Sequence, residues 1–304
     1  MEIIDLTCNN YTEDTFVALG NFDGVHLGHT VLIKSVVKHG MATGCKSAVL
    51  LFTNHTKNVL TNVEQKILTD MDQKLKILDE LGVDVVFQIP FTEDIMKLSP
   101  KHFIDNILVK KLNARGVVVG FDYRFGYKAS GNDRVLRQIC NERGIKAVVI
   151  APIFVNQEVI SSTLIRDAIK SGNVEKAGLL LGRPYNIKGI VVRGKQYGRK
   201  KGVPTANIKP NTNYIMPLNG VYDSRVIIEG KKYRAATSIG VNPTFNESGI
   251  KIEAHILDFN EEIYGRDIEL ELIEYIRPEI KFETKDELYV QISNDINKIR
   301  NGNQ

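Results

Sequence analysis

Short apolar runs alternate with amphipathic segments over residues 15–180. The runs TFVALG, SAVLLF, VDVVFQI, RGVVVG and KAVVIAPI are nearly continuous in apolar character, and segments with helical spacing such as DMDQKLKILDELG lie between them. One helix is predicted to begin with Ser99 as its N-cap and Pro100 at its first position. Near-continuous apolar strands are typical of a parallel sheet that helices cover on both faces. This half is therefore predicted to be an α/β domain with a parallel sheet, a class that binds ligands at the carboxyl ends of its strands.

The pattern changes at Gly182, Arg183 and Pro184. Beyond them the chain contains NIKGIVVRG, GVYDSRVIIEG, KYRAATSIG, IKIEAHILDF and DIELELIEYIR, which are short β-rich runs with turn signals between them. Runs of this kind predict an antiparallel sandwich or small barrel, and the charged segment TKDELYVQISNDINKIR predicts a closing helix. We therefore predict two domains, residues 1–182 and residues 183–304.

The composition is that of an ordinary globular protein, and its 304 residues fit about two domains. No stretch approaches the ~20 apolar residues of a membrane span, and the acidic N-terminus lacks the pattern of a signal peptide. Three widely spaced cysteines, Cys8, Cys45 and Cys140, predict reduced thiols rather than disulfides or a zinc site. A formal net charge of +4 and the absence of Trp argue against nucleic-acid binding. We expect a soluble cytoplasmic protein with no membrane or nucleic-acid partner, and no particular oligomeric state is predicted.

The segment GNFDGVHLGH occupies residues 20–29, between the first predicted strand and the helix after it. Its glycines permit tight turns, and the helix N-terminus offers N–H groups and a positive dipole end, which suit phosphate. Imidazoles there can donate hydrogen bonds to a pentavalent phosphorus centre or leaving pyrophosphate, so His26 and His29 are catalytic candidates. A surface or capping role is the structural alternative, and metal ligation is a weaker one. The residues predicted to bind ATP or phosphate here are Gly20, Phe22, Gly24 and Gly28.

The segment SSTLIR follows the last strand of this half, at residues 161–166. Consecutive hydroxyls at a helix start can form an N-cap, and capping explains them as well as ligand binding does. Arg166 lies three residues after Thr163, hence on the same face of the helix. Hydroxyls, a helix dipole and a guanidinium together predict a site for β- and γ-phosphates made of Ser161, Ser162, Thr163 and Arg166.

A glycine-rich basic loop opens the second half. The sequence GIVVRGKQYGRKKGVPTAN at residues 189–207 places Gly194, Gly198 and Gly202 among five basic side chains. Backbone amides and cations of this kind can surround phosphates, although a basic hairpin loop without a ligand explains the same composition. The string is not a P-loop, because Gln196 stands where Mg²⁺ binding needs Ser or Thr.

Thr205 and Asn207 are a more specific signal in this half. Residues two apart on a strand lie on the same face, so a hydroxyl and an amide oxygen can reach one Mg²⁺, a hard cation. Downstream, Glu253 lies within the apolar–polar strand IKIEAHILDF. Strand alternation alone makes it a solvent-facing residue, whereas a magnesium site in the same half makes it a candidate general base for a primary alcohol.

The motifs of the first half together resemble the HxGH nucleotidyltransferase group. GNFDGVHLGH, the later SSTLIR and VVVGFDYRFG at 117–126 are similar in order and spacing to the adenylyltransferase module of bacterial bifunctional riboflavin kinase/FAD synthetases. The resemblance implies a Rossmann-like domain that transfers AMP from ATP to FMN and releases pyrophosphate. It also implies that His26 and His29 stabilise the transition state and that Asp122 lines the flavin site.

One stretch departs from that family. Its members usually carry Thr-Phe-acidic-Pro-His-Pro after the second strand, where this chain has LFTNHT at residues 51–56. The missing prolines would have fixed φ and stiffened the loop. This change supports an alternative, a riboflavin kinase whose adenylyltransferase module is altered or lost.

The second half resembles the riboflavin kinase family. The glycine loop, PTAN, GVY, EAHILDF, YG and IRPE occur in the order of that family. The resemblance implies a six-stranded Greek-key barrel and Mg²⁺-dependent transfer of the ATP γ-phosphate to the ribityl 5′-hydroxyl of riboflavin. It further implies that Glu253 is the base, that Thr205 and Asn207 hold the metal and phosphates, and that Arg277 borders the flavin.

Both halves together resemble one bifunctional enzyme over nearly the full chain. The expected co-substrate is ATP, used with Mg²⁺ at two sites, and the expected products are FMN and FAD. A non-catalytic flavin- or nucleotide-binding regulator is an alternative from another class. The presence of both histidines, PTAN and Glu253 argues against such a regulator.

Overall fold

The computed structural model describes residues 1–7, 9–54, 65–194, 204–241 and 250–301. The chain divides into two compact units, the first made of Met1–Gln65 and Thr69–Ser161 and the second of Lys66–Leu68 and Ser162–Gln304. Within the described ranges, no helix combines the length and the apolar character needed to cross a membrane.

The first unit is built on a six-stranded sheet. All neighbouring strands of this sheet pair in parallel, in the order β1-β4-β3-β2-β5-β6. This architecture confirms the predicted α/β domain with a parallel sheet. The strands are β1 (Glu2–Asp5), β2 (Thr15–Leu19), β3 (Lys46–Phe52), β4 (Val85–Ile89), β5 (Ala114–Gly120) and β6 (Lys146–Ile150).

Helices connect these strands, and their starts follow ordinary capping chemistry. Asp70 and Gln73 form a capping box at the start of α2, and Ser99 caps α4 with Pro100 in its first turn, as the sequence predicts. The helices are α1 (Leu27–Thr43), α2 (Met71–Glu80), α3 (Glu93–Met96), α4 (Pro100–Phe103), which continues as a π-helical stretch (Ile104–Lys111), and α5 (Asp133–Asn141). A short 3₁₀ turn (Tyr127–Ala129) and a hairpin of β7 (Phe154–Val155) and β8 (Glu158–Val159) complete the described elements of this unit.

Alternation along the buried strands builds a separate core on each face of the sheet. One core contains Val17, Leu19, Leu50 and Phe87, together with residues of α4 and the π-helical stretch. The other contains the intervening strand residues, such as Ala18, packed with the apolar side chains of α1. Burial on both faces explains why these strands are apolar throughout.

The second unit is a closed antiparallel barrel with helices around it. Strands β11, β12 and β13 follow one another as hairpins and β14 returns to pair with β11, which is the Greek-key order 4-1-2-3. The predicted barrel with its closing helix is thus confirmed. The strands are β9 (Tyr185–Val192), β10 (Ala206–Pro210), β11 (Gly220–Ile228), β12 (Lys231–Val241), β13 (Ile250–Ile256) and β14 (Asp267–Arg277), and the helices are α6 (Ser162–Lys170), α7 (Val174–Leu181) and α8 (Lys285–Asn301).

Helices α6 and α7 precede residue 183 in sequence but pack with the barrel. Helix α7 contacts both β9 and β14, and α6 packs on α7. The division between the two compact units therefore falls between Ser161 and Ser162 in the sequence, not at residue 183. Because compactness measures packing and not chemistry, the division of activities at residue 183 stays a prediction.

Gly116 in β5 tests how tightly the sheet of the first unit is packed. A Cβ at this position would lie 2.1 Å from Cε2 of the buried Phe16 ring, which belongs to the paired strand β2. We expect Gly116→Ala to lower the free energy of unfolding by about 3 kcal/mol, because a filled core cannot take the extra methyl group. Urea denaturation followed by circular dichroism measures this loss.

Gly178→Ala is the matched control. Its Cβ would come no closer than 3.6 Å to a neighbouring atom, the carbonyl oxygen of Arg183, and it lies inside α7. Alanine in a helix interior is favoured over glycine by about 0.5–1 kcal/mol, so this variant should match or exceed the parent. Equal stability of the two variants would contradict the packing argument, and Phe16→Leu should partly rescue Gly116→Ala.

Candidate functional sites

The loop after β2 is fixed by two buried side chains in unusual backbone conformations. Phe22 and Val25 have positive φ angles of 48° and 38°, and both side chains are fully buried in the core that α1 shares with the sheet. A positive φ at a β-branched residue is strained, and it persists only where the surrounding packing determines it. The core therefore holds this loop in one shape, and the ring of Phe22 lies inside it rather than on the phosphate-accessible surface.

His26 is the N-cap of α1. Its Nδ1 accepts a hydrogen bond from the backbone N–H of His29 at 3.2 Å, so the neutral imidazole carries its proton on Nε2. Gly28 allows the ring to lie close to the first helical turn, since a Cβ there would be 3.1 Å from two of the ring atoms. The capping alternative and the catalytic prediction are compatible, because capping uses Nδ1 and leaves Nε2 as the donor atom.

The two histidines of the segment are brought together as a stacked pair. Their ring centroids lie 3.6 Å apart with an interplanar angle of 13°. The Phe22 ring meets His29 edge-on at 5.2 Å and 61°, so it supports the pair from the core. Burial leaves His26 only 6% exposed, and a largely desolvated donor interacts more strongly with a charged phosphate than a solvated one does.

A polar network that the sequence did not reveal supports the other side of this loop. The hydroxyl of Thr69 accepts from the N–H of Gly24 at 2.9 Å, and the N–H of Thr69 donates to Asp23 at 3.4 Å. Burial lowers the pKa of Lys74, while the carboxylates of Asp23 and Asp70 oppose this effect. Asp23 and Thr69 lie 46 residues apart in sequence, so no local pattern predicts their contact.

Two further segments follow β3 and β5 and share a sheet edge with that loop, because the carboxyl ends of parallel strands meet at one edge. After β5, Asp122 is exposed, and a Cβ on Gly120 would lie 3.2 Å from its Oδ1. After β3, the side chain of Asn54 donates to the carbonyl of Phe91 at 3.1 Å and accepts from its N–H at 2.7 Å. Burial also raises the pKa of the Tyr123 hydroxyl above its usual range.

The Asn54 contacts bear directly on the altered stretch 51–56. The side-chain amide ties the end of β3 to the segment after β4, so the chain is held there without a proline. Phe52 and Phe91 reinforce the link with an edge-on ring contact at 4.9 Å. His55 and Thr56 lie outside the described residues.

The four residues predicted to bind phosphates after β8 fall at the boundary between the two compact units in sequence. Ser161 ends the first compact unit, and Ser162, Thr163 and Arg166 lie in the first five residues of α6. Arg166 donates from Nη1 to the carbonyl oxygen of Lys66 at 2.7 Å, within the same unit. Their role in phosphate binding stays a prediction.

The barrel presents the second predicted site on its outer face. Ile208 of β10 and both Ile252 and Ala254 of β13 are buried inside the barrel, so the residues between them face outward. Asn207 pairs directly with Glu253 in the antiparallel register, which places both side chains on this face. Thr205, two residues before Asn207, is predicted to follow it onto the same face.

Gly194 lies directly against this face. A Cβ on it would be 2.2 Å from Nδ2 of Asn207, so only glycine leaves room for the amide. The predicted loop residue Gly194 and the predicted metal ligand Asn207 are thus neighbours in space. Gly198 and Gly202, which belong to the same prediction, lie outside the described residues.

Glu253 has a cationic neighbour that the sequence motifs did not predict. Nζ of Lys251 lies 2.8 Å from Oε2 of Glu253, with 46% and 30% of the two side chains exposed. The two-residue spacing on one strand is the signal that could have found it. The contact keeps the carboxylate on the outer face beside Asn207.

Arg277 is held by the closing helix. Its guanidinium donates to both carboxylate oxygens of Asp295 in α8, with a shortest distance of 2.7 Å, and to the carbonyl of Pro278 at 2.9 Å. The two side chains are only 15% and 6% exposed. Arg277 therefore joins the end of β14 to α8, and its predicted place beside the flavin stays a prediction.

Comparison with family models identifies both parts of the chain. The model described as FAD synthetase matches residues 8–164, and the model described as riboflavin kinase matches residues 181–302. The chain thus combines a nucleotidyltransferase-class part with a kinase-class part.

Full-length relatives carry both parts in the same order. A bifunctional riboflavin kinase/FMN adenylyltransferase from Listeria monocytogenes is 38% identical, covering 95% of this chain and 93% of the relative. Proteins of the same description from Bacillus subtilis and Escherichia coli K12 are 37% and 35% identical, covering 92% and 93% of this chain and 89% and 91% of those relatives. The chain belongs to the bifunctional riboflavin kinase/FMN adenylyltransferase family.

A solved structure has the same fold over its whole length. It is described as a macrolide-efflux protein from Streptococcus pneumoniae, shares 32% identity and a TM-score of 0.92, and the match covers 99% of both chains. The likeness supports the fold of both units, and the efflux description concerns that protein.

Gly194→Ala tests the close contact of Gly194 with Asn207. The added methyl group should displace the amide and lower riboflavin phosphorylation by about 10²-fold, the cost typical of a misplaced site group. Phosphorylation of riboflavin and adenylylation of supplied FMN, assayed separately, measure the effect, and the second rate should not change.

The double variant Gly194→Ala with Asn207→Ala isolates the cause. If Gly194 acts by making room for Asn207, the double variant should be no slower than Asn207→Ala alone. Additive losses would show that Gly194 acts independently of the amide.

Proposed function

We propose that this chain phosphorylates riboflavin to FMN and adenylylates FMN to FAD, with ATP as co-substrate of both reactions. The observation that carries the proposal is the succession of the two family matches along one chain, the first covering the histidine pair and the second covering Asn207 and Glu253. The kinase site is the outer barrel face with Asn207 and Glu253, and the adenylyltransferase site is the edge of the sheet with His26 and His29.

The kinase face has the oxygen donors that suit Mg²⁺. Thr205 and Asn207 supply a hydroxyl and an amide oxygen, and hard cations prefer such ligands. The described residues contain no cluster of three or more histidine, cysteine or acidic side chains suited to a metal ion. The protein donors therefore fit a cation that substrate phosphates help to bind, and bound Mg²⁺ would neutralise the charge that develops on the phosphates.

Glu253 is the proposed general base of the kinase. Its carboxylate accepts the proton of the ribityl 5′-hydroxyl while the hydroxyl oxygen bonds to the γ-phosphorus and ADP leaves. Asn207, paired opposite Glu253, and Thr205 hold the phosphates next to this base. Gly194, together with Gly198 and Gly202, is proposed to surround the nucleotide, and Arg277 is proposed to border the flavin.

The histidine pair is the proposed centre of the adenylyltransferase. A phosphate oxygen of FMN bonds to the α-phosphorus of ATP and pyrophosphate leaves, while His26 donates from Nε2 to the charged oxygens. The loop backbone at Gly20, Phe22, Gly24 and Gly28 is proposed to bind the nucleotide phosphates. Ser161, Ser162, Thr163 and Arg166 are proposed for the leaving phosphates, and Asp122 for the flavin side.

The alternative of a kinase with an altered or lost adenylyltransferase receives no support from the relatives, whose descriptions carry both activities. The Asn54 contacts supply an anchor in the stretch where the prolines are missing. A regulator without turnover is disfavoured for the same reason. A cytoplasmic location stays a prediction.

Incubation of the purified chain with riboflavin, ATP and Mg²⁺, with flavins separated by chromatography over time, tests the proposal. FMN should form first and FAD should follow. FMN that accumulates without FAD would overturn the adenylyltransferase assignment. Glu253→Gln should lower FMN formation by at least about 10²-fold, because the amide cannot accept the proton, while FAD formation from supplied FMN should continue.

His26→Asn separates the catalytic role of His26 from its capping role. Asparagine is an N-cap residue, so the helix start should remain, while the imidazole donor is lost. We expect FAD formation from FMN to fall by about 10²-fold, the usual cost of one transition-state donor. Riboflavin phosphorylation serves as the internal control, and an unchanged FAD rate would remove His26 from the catalytic site.

A further inference from the structure

His255, two residues after Glu253, contacts Pro204, which directly precedes the proposed Mg²⁺ donors Thr205 and Asn207. Nδ1 of His255 lies 2.8 Å from the carbonyl oxygen of Pro204, 51 residues away in sequence. A carbonyl oxygen only accepts hydrogen bonds, so the ring must donate and Nδ1 must carry a proton. This contact fixes the tautomer of the neutral ring as Nδ1–H.

The contact lies where strand pairing ends. Pairing of β10 with β13 runs from Ala206 to Ile208, so Pro204 and Thr205 precede the paired residues. One further step along the antiparallel register places Thr205 across from His255. Backbone pairing between β10 and β13 starts at Ala206. The His255 side chain therefore extends the contact between these two segments to Pro204, beyond the last backbone pair.

The geometry at Pro204 makes this single bond effective. The pyrrolidine ring fixes φ of Pro204, so the orientation of the peptide to Thr205 depends on one remaining angle, ψ. A hydrogen bond to the carbonyl of that peptide sets ψ. This angle determines the direction of the Thr205 side chain, because Ala206, the residue after Thr205, is already held in the strand by pairing.

We propose that His255 is a positioning residue of the kinase site, which holds Pro204 so that the Thr205 hydroxyl lies next to Asn207 for the cation and phosphates. The inference rests on the proposed kinase site, and it assigns His255 no contact with substrate. Positioning of this kind affects the binding of a Mg²⁺–nucleotide complex more than the binding of riboflavin.

Titration of the full-length protein with Mg·ADP, followed by calorimetry, tests the proposal. His255→Leu removes the donor and should weaken Mg·ADP binding by about tenfold, whereas riboflavin affinity stays unchanged. His255→Asn places an amide N–H near the Nδ1 position and should restore affinity to within about twofold of the parent. Asn207→Ala defines the signal lost when the kinase site itself is damaged.

His102→Leu is the matched control. It removes an exposed histidine whose Nδ1 lies 2.9 Å from an oxygen, the hydroxyl of Ser99 in the first unit. This variant should bind Mg·ADP as the parent does.

Nitrogen-15 NMR of the histidine rings, with the His255 signal assigned by its loss in His255→Leu, should show a proton on Nδ1 of His255.

The outcomes distinguish an error in the proposed kinase site from an error in the proposed role of His255. If Asn207→Ala weakens Mg·ADP binding and His255→Leu does not, the positioning role is wrong and the kinase site stands. If Asn207→Ala leaves binding unchanged, the kinase site is misplaced and the role of His255 falls with it. Equal losses of Mg·ADP and riboflavin affinity in His255→Leu, or a neutral ring in the parent with its proton on Nε2 instead of Nδ1, would also overturn the proposal.

Discussion

Backbone pairing between strands decides where the proposed catalytic side chains lie. In the first unit, parallel pairing of β2 with β3 and β5 brings the loops that follow them to one edge of the sheet. In the second unit, antiparallel pairing of Asn207 with Glu253 sets an amide and a carboxylate side by side on the barrel surface. A shift of the register between β10 and β13 by one residue would turn Asn207 and Glu253 to opposite faces, since side chains alternate along a strand. The chemistry of both parts thus depends on hydrogen bonds that involve no catalytic group.

The periodicity of the sequence was sufficient to predict the class of each architecture. Continuous apolar runs predicted the parallel sheet, and short alternating runs predicted an antiparallel sandwich or small barrel, because each pattern reflects which faces are buried. The family resemblance decided between these two in favour of the barrel. That Asn207 and Glu253 lie on one face could not be predicted from periodicity, because it depends on the register between β10 and β13. The motifs suggested the two residues individually, and only the pairing brings them together.

Contacts between distant segments were not predictable from local patterns. The bonds of Asn54 to Phe91 and of His255 to Pro204 join segments that are far apart in sequence, and a single asparagine or histidine has no distinctive spacing. The burial of Phe22 was missed for a related reason. A phenylalanine in a glycine-rich loop can lie in the core or at the surface, and the sequence does not distinguish the two. In the structure Phe22 has a positive φ of 48° and its ring is fully buried.

The amide of Asn54 and the prolines of related chains restrain a loop through different physical means. A proline removes conformations permanently, in the unfolded and the folded chain alike. Two hydrogen bonds to Phe91 contribute only about 1–3 kcal/mol together, so they break and reform within the folded protein. An open state at that cost is populated at about 0.6–16%, which overlaps the populations of minor states that a bound ligand can shift. The end of β3 is therefore held by contacts that can open, whereas a proline would restrict its backbone in the folded and the unfolded chain alike.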